Sequence, residues 1–258
     1  MTSAPKRAPK RAPKRALVTG GSAGLGAAAV SWLQAHRYEV VVLDRDRPWT
    51  GKTPVQFIRC DLASRTELDD VLPELIAAGP YSLVFLNAGI NATGHFERLD
   101  AQAHIDVLRV NAEAPMVITA GLLEAKVVRR GGAMVFVSSL SHFTGYPGAA
   151  SYAASKDALA IYAKSMRQYA KSRGVSLTVA FPGPLKTDHA EQHSPEGADA
   201  SKRMDPDLAA SLIIADARAG KKNSIPGAAN RFAAWIGRLF PKPVTAMMRR
   251  LIYVRLKP

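Results

Sequence analysis

Thr19-Gly20-Gly21-Ser22-Ala23-Gly24-Leu25-Gly26 follows a short strand pattern at 16–19 and opens a helical one at 25–36. Glycines at such a junction let the backbone turn tightly and admit a pyrophosphate close to the main chain, with the first amides of the helix pointing at it. A glycine cluster alone marks many tight turns. Here it sits between a strand and a helix, and Asp44 stands 18 residues beyond Gly26 at the end of the second strand pattern. That is the spacing of a carboxylate that receives a ribose hydroxyl. The unit predicts a dinucleotide site that includes Gly20, Ser22, Ala23, Gly24, Leu25, Gly26, Asp44 and Arg45. Asp44 would repel a 2′-phosphate and Ala23 adds no basic group, which favours NAD; Arg45 and Arg47 argue the other way and keep NADP as the alternative.

Outward from this turn, β-branched runs at 39–43, 55–58, 82–86, 133–138, 175–180 and weakly 224–226 alternate with helical patterns at 65–77, 101–110, 113–129, 151–173 and 207–219. Alternation of this kind signals parallel βαβ units. The 258 residues are ample for a sizeable core, and no linker divides them. The expected fold is α/β: a single doubly wound Rossmann-type domain over residues 16–227, with a mostly parallel sheet of six or seven strands.

The net charge of +14 is not spread over this domain. Residues 1–15 hold six Lys or Arg and no acid, residues 217–258 hold ten and no acid, and residues 16–216 carry a net charge of −2. A nucleic-acid partner is therefore not expected, because such proteins carry their positive field on the folded core. Residues 1–15 repeat Ala-Pro-Lys-Arg, and a proline in every unit forbids a helix, so they read as a disordered basic arm, either a solvated tail or an anion-binding one. The single cysteine, Cys60, excludes an internal disulfide, and neither an export signal nor an apolar run long enough to cross a bilayer is present. A cytoplasmic protein is expected.

Tyr152-Ala153-Ala154-Ser155-Lys156 starts a long helical pattern, so Tyr152 and Lys156 share one face. An ammonium beside a phenol favours the phenolate, lowering a pKa that is about 10 in water and making Tyr152 a usable acid or base near neutrality. Such a pair arises often by chance. Ser138 and Ser139 at the end of the preceding strand change its meaning, since Ser139 can hold a substrate oxygen while Ser138 caps the strand end. Asn111 could anchor a water in a proton relay through Lys156, or cap or kink a helix.

The spacing Thr-Gly-x-x-x-Gly-x-Gly is wider than Gly-x-Gly-x-x-Gly, and with it the chain resembles the short-chain dehydrogenase/reductase family over residues 16 to about 227. Asn111, Ser139, Tyr152 and Lys156 fall where that family places its catalytic tetrad. The resemblance further implies that Asp61, with Leu62, meets the adenine and that Asn87-Ala88-Gly89 is the turn after the fourth strand. Pro182-Gly183 and Thr187 would hold the nicotinamide carboxamide, and Lys156 the nicotinamide ribose. Residues 188–206 resemble the family's mobile substrate lid. The activity implied is that of an NAD(P)-dependent oxidoreductase moving a hydride between nicotinamide and a carbonyl or secondary alcohol, usually as a homo-oligomer such as a homodimer. The alternative is a non-catalytic nucleotide-binding regulator or a peripheral membrane scaffold on the same fold.

Other chemistry-bearing residues receive no role. His95, His142, His189 and His193 show no metal-ligand spacing, and Cys60 reads as a small core residue. No metal is expected. Beyond Gly227, Phe232, Trp235, Ile236, Leu239 and Phe240, then Val244, Met247, Met248, Leu251 and Ile252, recur at helical spacing among Arg231, Arg238, Lys242, Arg249, Arg250, Arg255 and Lys257. Residues 228–258 thus form a basic amphipathic extension of two short helices. These either pack on the core or a partner, or lie on an anionic membrane surface, the second choice going with a lipophilic substrate. Together with the lid they set the shape of the substrate pocket.

Overall fold

The computed structural model describes residues 13–46, 53–193 and 199–255. Seven strands form one sheet in the order β3-β2-β1-β4-β5-β6-β7: β1 Lys14–Thr19, β2 Tyr38–Asp44, β3 Gln56–Arg59, β4 Tyr81–Leu86, β5 Val128–Val137, β6 Ser176–Ala180 and β7 Asn223–Ser224. Every neighbouring pair is parallel, Val18 facing Val42 on one side and Phe85 on the other. A parallel sheet is covered on both faces, so its strands read as unbroken apolar runs while successive side chains go to opposite layers. Leu17, Leu43, Val84 and Phe136 join one core layer, under the helices α2 (Arg65–Ala77), α4 (Ala114–Glu124) and α6 (Ala150–Ser172). Ala16, Val18, Val42, Phe85 and Val135 join the other, under α1 (Gly24–Ala35) and α8 (Pro206–Arg218). The chain runs from β1 outward to β3 and then returns to β4 on the other side of β1. That reversal opens a crevice at the carboxyl ends of β1 and β4, where ligands bind in folds of this kind.

Three segments differ from the sequence-based expectation. β1 begins at Lys14, two residues inside the stretch read as an arm, because Arg15 ties it down: its guanidinium meets Glu39 at 2.7 Å and donates to the Ala78 carbonyl. Residues 1–12 of that arm lie outside the described residues. The helix expected over 113–129 is shorter, since α4 ends at Glu124 and β5 starts at Val128 after a turn in which Lys126 has φ 58°. Apolar residues before and after that turn are both buried, so their spacing alone hides the change from helix to strand. The last strand is only Asn223–Ser224; Pro226, without an N–H, follows where 224–226 was expected.

A π-helical turn at Arg109–Glu113 joins α3 (Ala101–Leu108) to α4. Short helices α5 (Ser141–Thr144) and α7 (Asp188–Gln192) follow β5 and β6, and α9 (Ala228–Leu239) and α10 (Pro241–Leu251) follow β7 before a last 3-10 turn at Tyr253–Arg255. Within the segment read as a lid, residues 194–198 lie outside the described residues. Among the described residues no helix is long and apolar enough to cross a membrane.

Candidate active site

The glycine turn fits a dinucleotide phosphate by what it leaves out. A Cβ at Gly26 would stand 1.8 Å from the Gly20 carbonyl oxygen, and one at Gly20 would stand 2.8 Å from the Ala88 Cα. Gly20 and Gly24 also adopt φ of 65° and 51°, a region that favours glycine. Ala23 precedes α1 without a side-chain cap, and no acid occupies the first turn. The free amides and the positive end of the helix dipole are thus offered to an anion in the crevice. This uncapped helix start in a glycine-cleared cradle is what a pyrophosphate requires.

The turn is held by its neighbours. Thr19 Oγ1 accepts from the Asn87 and Ala88 amides at 3.0 Å each, and Asn87 Nδ2 donates to the Thr19 and Gly20 carbonyls. Asn87 therefore fastens the end of β4 to the glycine turn. Thr19 does the same from the other side, a role the motif contains but its spacing does not assign. Asp44 closes β2, its Oδ2 accepting from the Ser22 amide at 2.9 Å and Oδ1 from the Arg45 amide at 2.7 Å. A carboxylate has roughly four acceptor sites, so this anchoring leaves lone pairs for ribose hydroxyls. Arg45 is exposed, 3.6 Å from Asp46, and Arg47 lies outside the described residues. Leu25, Asp61, Leu62, Pro182, Gly183 and Thr187 line the same cavity, Asp61 with Oδ1 bound by the Ala63 amide and Thr187 beside Gly24.

At the far end of the crevice the strand end after β5 and the start of α6 bring Ser139, Tyr152 and Lys156 to one wall. Ser138 Oγ donates to the Lys156 carbonyl at 2.9 Å, locking the helix to the strand end. Lys156, 3% exposed, donates from Nζ to the Val137 carbonyl at 2.9 Å. A Cβ at Gly89 would meet Nζ at 3.0 Å and Asn111 Oδ1 at 3.2 Å, so Gly89 is the clearance through which these two groups converge. Asn111 is wholly buried in the π turn. Its Oδ1 accepts from the Ile90 amide, and its Nδ2 donates to the Ile90 carbonyl and to Ser155 Oγ. Both amide protons are thus engaged in holding the kink and the loop after β4, and a second lone pair on Oδ1 remains.

The expected lowering of the tyrosine pKa is reversed. Burial pushes the Tyr152 phenol up to about 12, against the hydrogen bond from Ser139 that draws it down, and the neighbouring Tyr146 raises it further. Burial equally pushes Lys156 down to about 8. The ammonium lies 5.7 Å from the Tyr152 ring centroid and spends a donor on Val137, so desolvation outweighs its pull on the phenol. Near neutral pH the site holds a protonated phenol beside a charged lysine, the state of a proton donor.

Two histidines given no role line this cavity. His189 and His193 stand 4.8 Å apart, and burial, then His193, then Lys156 push His189 down to about 4. Tyr146 packs edge-on to Tyr152 and donates to the His193 carbonyl at 3.1 Å. His142 bonds Asp157 and stacks on Phe181, and His95 contacts Tyr253. Burial also pushes the Cys60 thiol up to about 11, the opposite of an activated nucleophile. The position of His189 and His193 just after Thr187 was the available signal for them. The cavity measures about 1370 Å³, and its roof comes from α9 and α10.

A doubly wound domain with a dinucleotide cradle and a Ser-Tyr-Lys wall defines a class of oxidoreductases. The short chain dehydrogenase family model matches residues 14–197, and the chain belongs to that family. An uncharacterized oxidoreductase of Myxococcus xanthus is 31% identical over 186 residues, covering 67% of this chain and 72% of its own. The 3-oxoacyl-acyl-carrier-protein reductase MabA of Mycobacterium avium is 28% identical over 174 residues, 67% of either chain. Among solved structures, a short chain dehydrogenase from Burkholderia cenocepacia in complex with NADP superposes with a TM-score of 0.78. It is 23% identical, and the match covers 92% of this chain and 97% of that one.

Proposed function

We propose that the protein reduces a ketone to a secondary alcohol, and catalyses the reverse oxidation, with Tyr152 as the proton donor or acceptor at the substrate oxygen. The observation that carries this reading is Tyr152, Ser139 and Lys156 on one wall of a cavity whose other end is the glycine cradle. Bound in that cradle, a nicotinamide dinucleotide supplies or accepts the hydride. Ser139 donates a hydrogen bond to the carbonyl oxygen and orients it. Tyr152, a neutral phenol, gives that oxygen a proton as negative charge develops on it. Lys156 stabilises the phenolate left behind. Asn111 ties the loop after β4 to α6 beside them. No member of the Ser-Tyr-Lys set is missing, as a non-catalytic regulator would allow.

The pH dependence of this chemistry is set by the lysine. Tyr152 stays protonated across the working range, whereas Lys156 loses its charge as pH rises through about 8. Ketone reduction at saturating dinucleotide is therefore expected to fall on the alkaline side of about pH 8. Lys156→Arg, which stays charged, is expected to keep some activity and to lose that inflection. A flat profile to pH 10 in the parent would remove Lys156 from this role.

Asp44 supports NAD over NADP, because an anchored carboxylate at the end of β2 repels a 2′-phosphate. Asp44→Ser is expected to lower kcat/KM with NADH by about tenfold to a hundredfold, the usual worth of hydrogen bonds to a charged group, and to raise it with NADPH. Steady-state kinetics with both cofactors decides this, and a parent that prefers NADPH overturns it. Exposed Ile105, Leu108, Ile161 and Tyr169 support a homo-oligomer. The reading also includes a cytoplasmic location, a lipophilic substrate suited to the apolar cavity roof, and attachment of α9 and α10 to an anionic membrane surface.

A further inference from the structure

The first C-terminal helix, α9, docks on the domain with the wrong face for an ordinary surface helix. α9 buries its small residues, Ala234 and Gly237, and a Cβ at Gly237 would stand 2.2 Å from the Phe143 carbonyl oxygen. The helix backbone therefore lies directly on α5, and its large apolar side chains other than Ile236 are turned outward. Phe232 is 62% exposed, Trp235 56%, Leu239 53%, Phe240 56%, and Met247 in α10 51%. Phe232 and Trp235 stack on each other at 6.1 Å. A helix whose only task were to complete the core would bury such residues.

Two further observations select what covers this face. Arg231, Lys242, Arg249 and Arg250 are basic residues of the same two helices, and no acid follows Asp216. A second copy placed face to face would bring like charges together, which disfavours a dimer here, whereas an anionic lipid surface complements both the charge and the apolar residues. The face is also continuous with the active site. Phe232 and Met247 are more than half exposed and yet line the cavity, so they form its rim, and Ile236, Val244, Met248 and Ile252 continue the apolar lining inward.

We infer that the outer face of α9 and α10 docks on an anionic bilayer so that the cavity mouth opens onto lipid, and that the substrate is a bilayer-partitioned ketone taken directly from it. This rests on the carbonyl chemistry and the membrane attachment proposed above. Trp235, Leu239, Lys242 and Arg250 do not line the cavity, so they separate docking from chemistry.

The test uses the full-length protein with vesicles of phosphatidylcholine alone and of phosphatidylcholine with phosphatidylserine, at low and high salt. Cosedimentation is read beside NADH-dependent reduction of a long-chain ketone carried in the vesicles and of a short water-soluble ketone. The protein is expected to sediment with the anionic vesicles, and to be released by salt. Anionic vesicles should raise turnover of the long-chain ketone about tenfold over neutral ones by colocalisation, leaving the short ketone unaffected. Lys242→Gln and Arg250→Gln are each expected to weaken vesicle binding about fivefold, the share one basic residue contributes near an anionic leaflet. Trp235→Ser with Leu239→Ser should abolish binding and the stimulation while reduction of the short ketone and the circular dichroism spectrum are retained. Failure to sediment with anionic vesicles at low salt overturns docking. Sedimentation without stimulation overturns delivery from lipid and leaves attachment standing. Self-association abolished by the Trp235/Leu239 substitutions, without vesicle binding, would make the face a dimer contact and overturn the inference. Absence of turnover with either ketone in sedimenting protein is a failure of the carbonyl reading, on which delivery depends.

Discussion

Tyr152→Phe is expected to lower ketone turnover by about a hundredfold to ten-thousandfold, the range of a positioned general acid, with dinucleotide affinity nearly unchanged. The reason lies in which groups can give a proton at this wall. Ser139 has a hydroxyl too weakly acidic to replace a phenol, and its role is to hold the oxygen. Lys156 is engaged with the Val137 carbonyl, and its charge is needed to balance the phenolate. His189 is held neutral by its pKa of about 4, so at neutral pH it is not a strong donor either. The phenylalanine ring conserves the packing against Tyr146, so the substitution removes the proton and little else. Single-turnover reduction measures the loss, and fluorescence titration with NADH measures binding. Turnover at the parental rate would show that another group carries the proton.

Gly26→Val is expected to remove measurable dinucleotide binding and to destabilise the domain by about 1–3 kcal/mol or more, as overpacking at a close contact does. The added Cβ would lie 1.8 Å from the Gly20 carbonyl oxygen and the turn's other neighbour, Asn87 Nδ2, is 2.7 Å away. The first is backbone and cannot rotate aside, so α1 must move off the turn that presents its amides. A displacement near 1 Å in such a site costs on the order of a hundredfold. Gly24→Ala distinguishes loss of binding from loss of fold. Its Cβ would meet only the Thr187 side chain, the methyl at 3.2 Å, although φ of 51° adds local strain. It is expected to weaken NADH binding while melting close to the parent. Calorimetric titration and thermal unfolding of both variants check the pair, and a Gly26→Val protein that binds NADH like the parent would refute the cradle.

Much of this site was legible because the chemistry is written locally. A glycine turn between a strand and a helix, an acid at the end of the next strand, and a tyrosine four residues before a lysine are short-range patterns. Backbone sterics and helix periodicity give them meaning before any packing is known. The parallel sheet was legible for a similar reason: strands covered on both faces must be apolar without alternation. The loss of the helix expected over 125–129 marks the limit of that logic, since buried helix and buried strand share the same apolar composition.

Other features depended on what lies around a residue, which spacing does not encode. The lysine four residues after Tyr152 suggested a lowered phenol pKa. The fold instead buries both groups and turns the ammonium toward Val137, so desolvation decides the sign. His189 and His193 gain a place in the cavity only because the segment after β6 folds back over Tyr146. The C-terminal extension is the clearest case. Its sequence determined two amphipathic basic helices, as apolar periodicity and charge alone require. Which face they bury was decided by tertiary contact: Gly237, lacking a Cβ, permits an approach to Phe143 that larger residues forbid, and that approach leaves Trp235 facing outward and Phe232 at the mouth of the site.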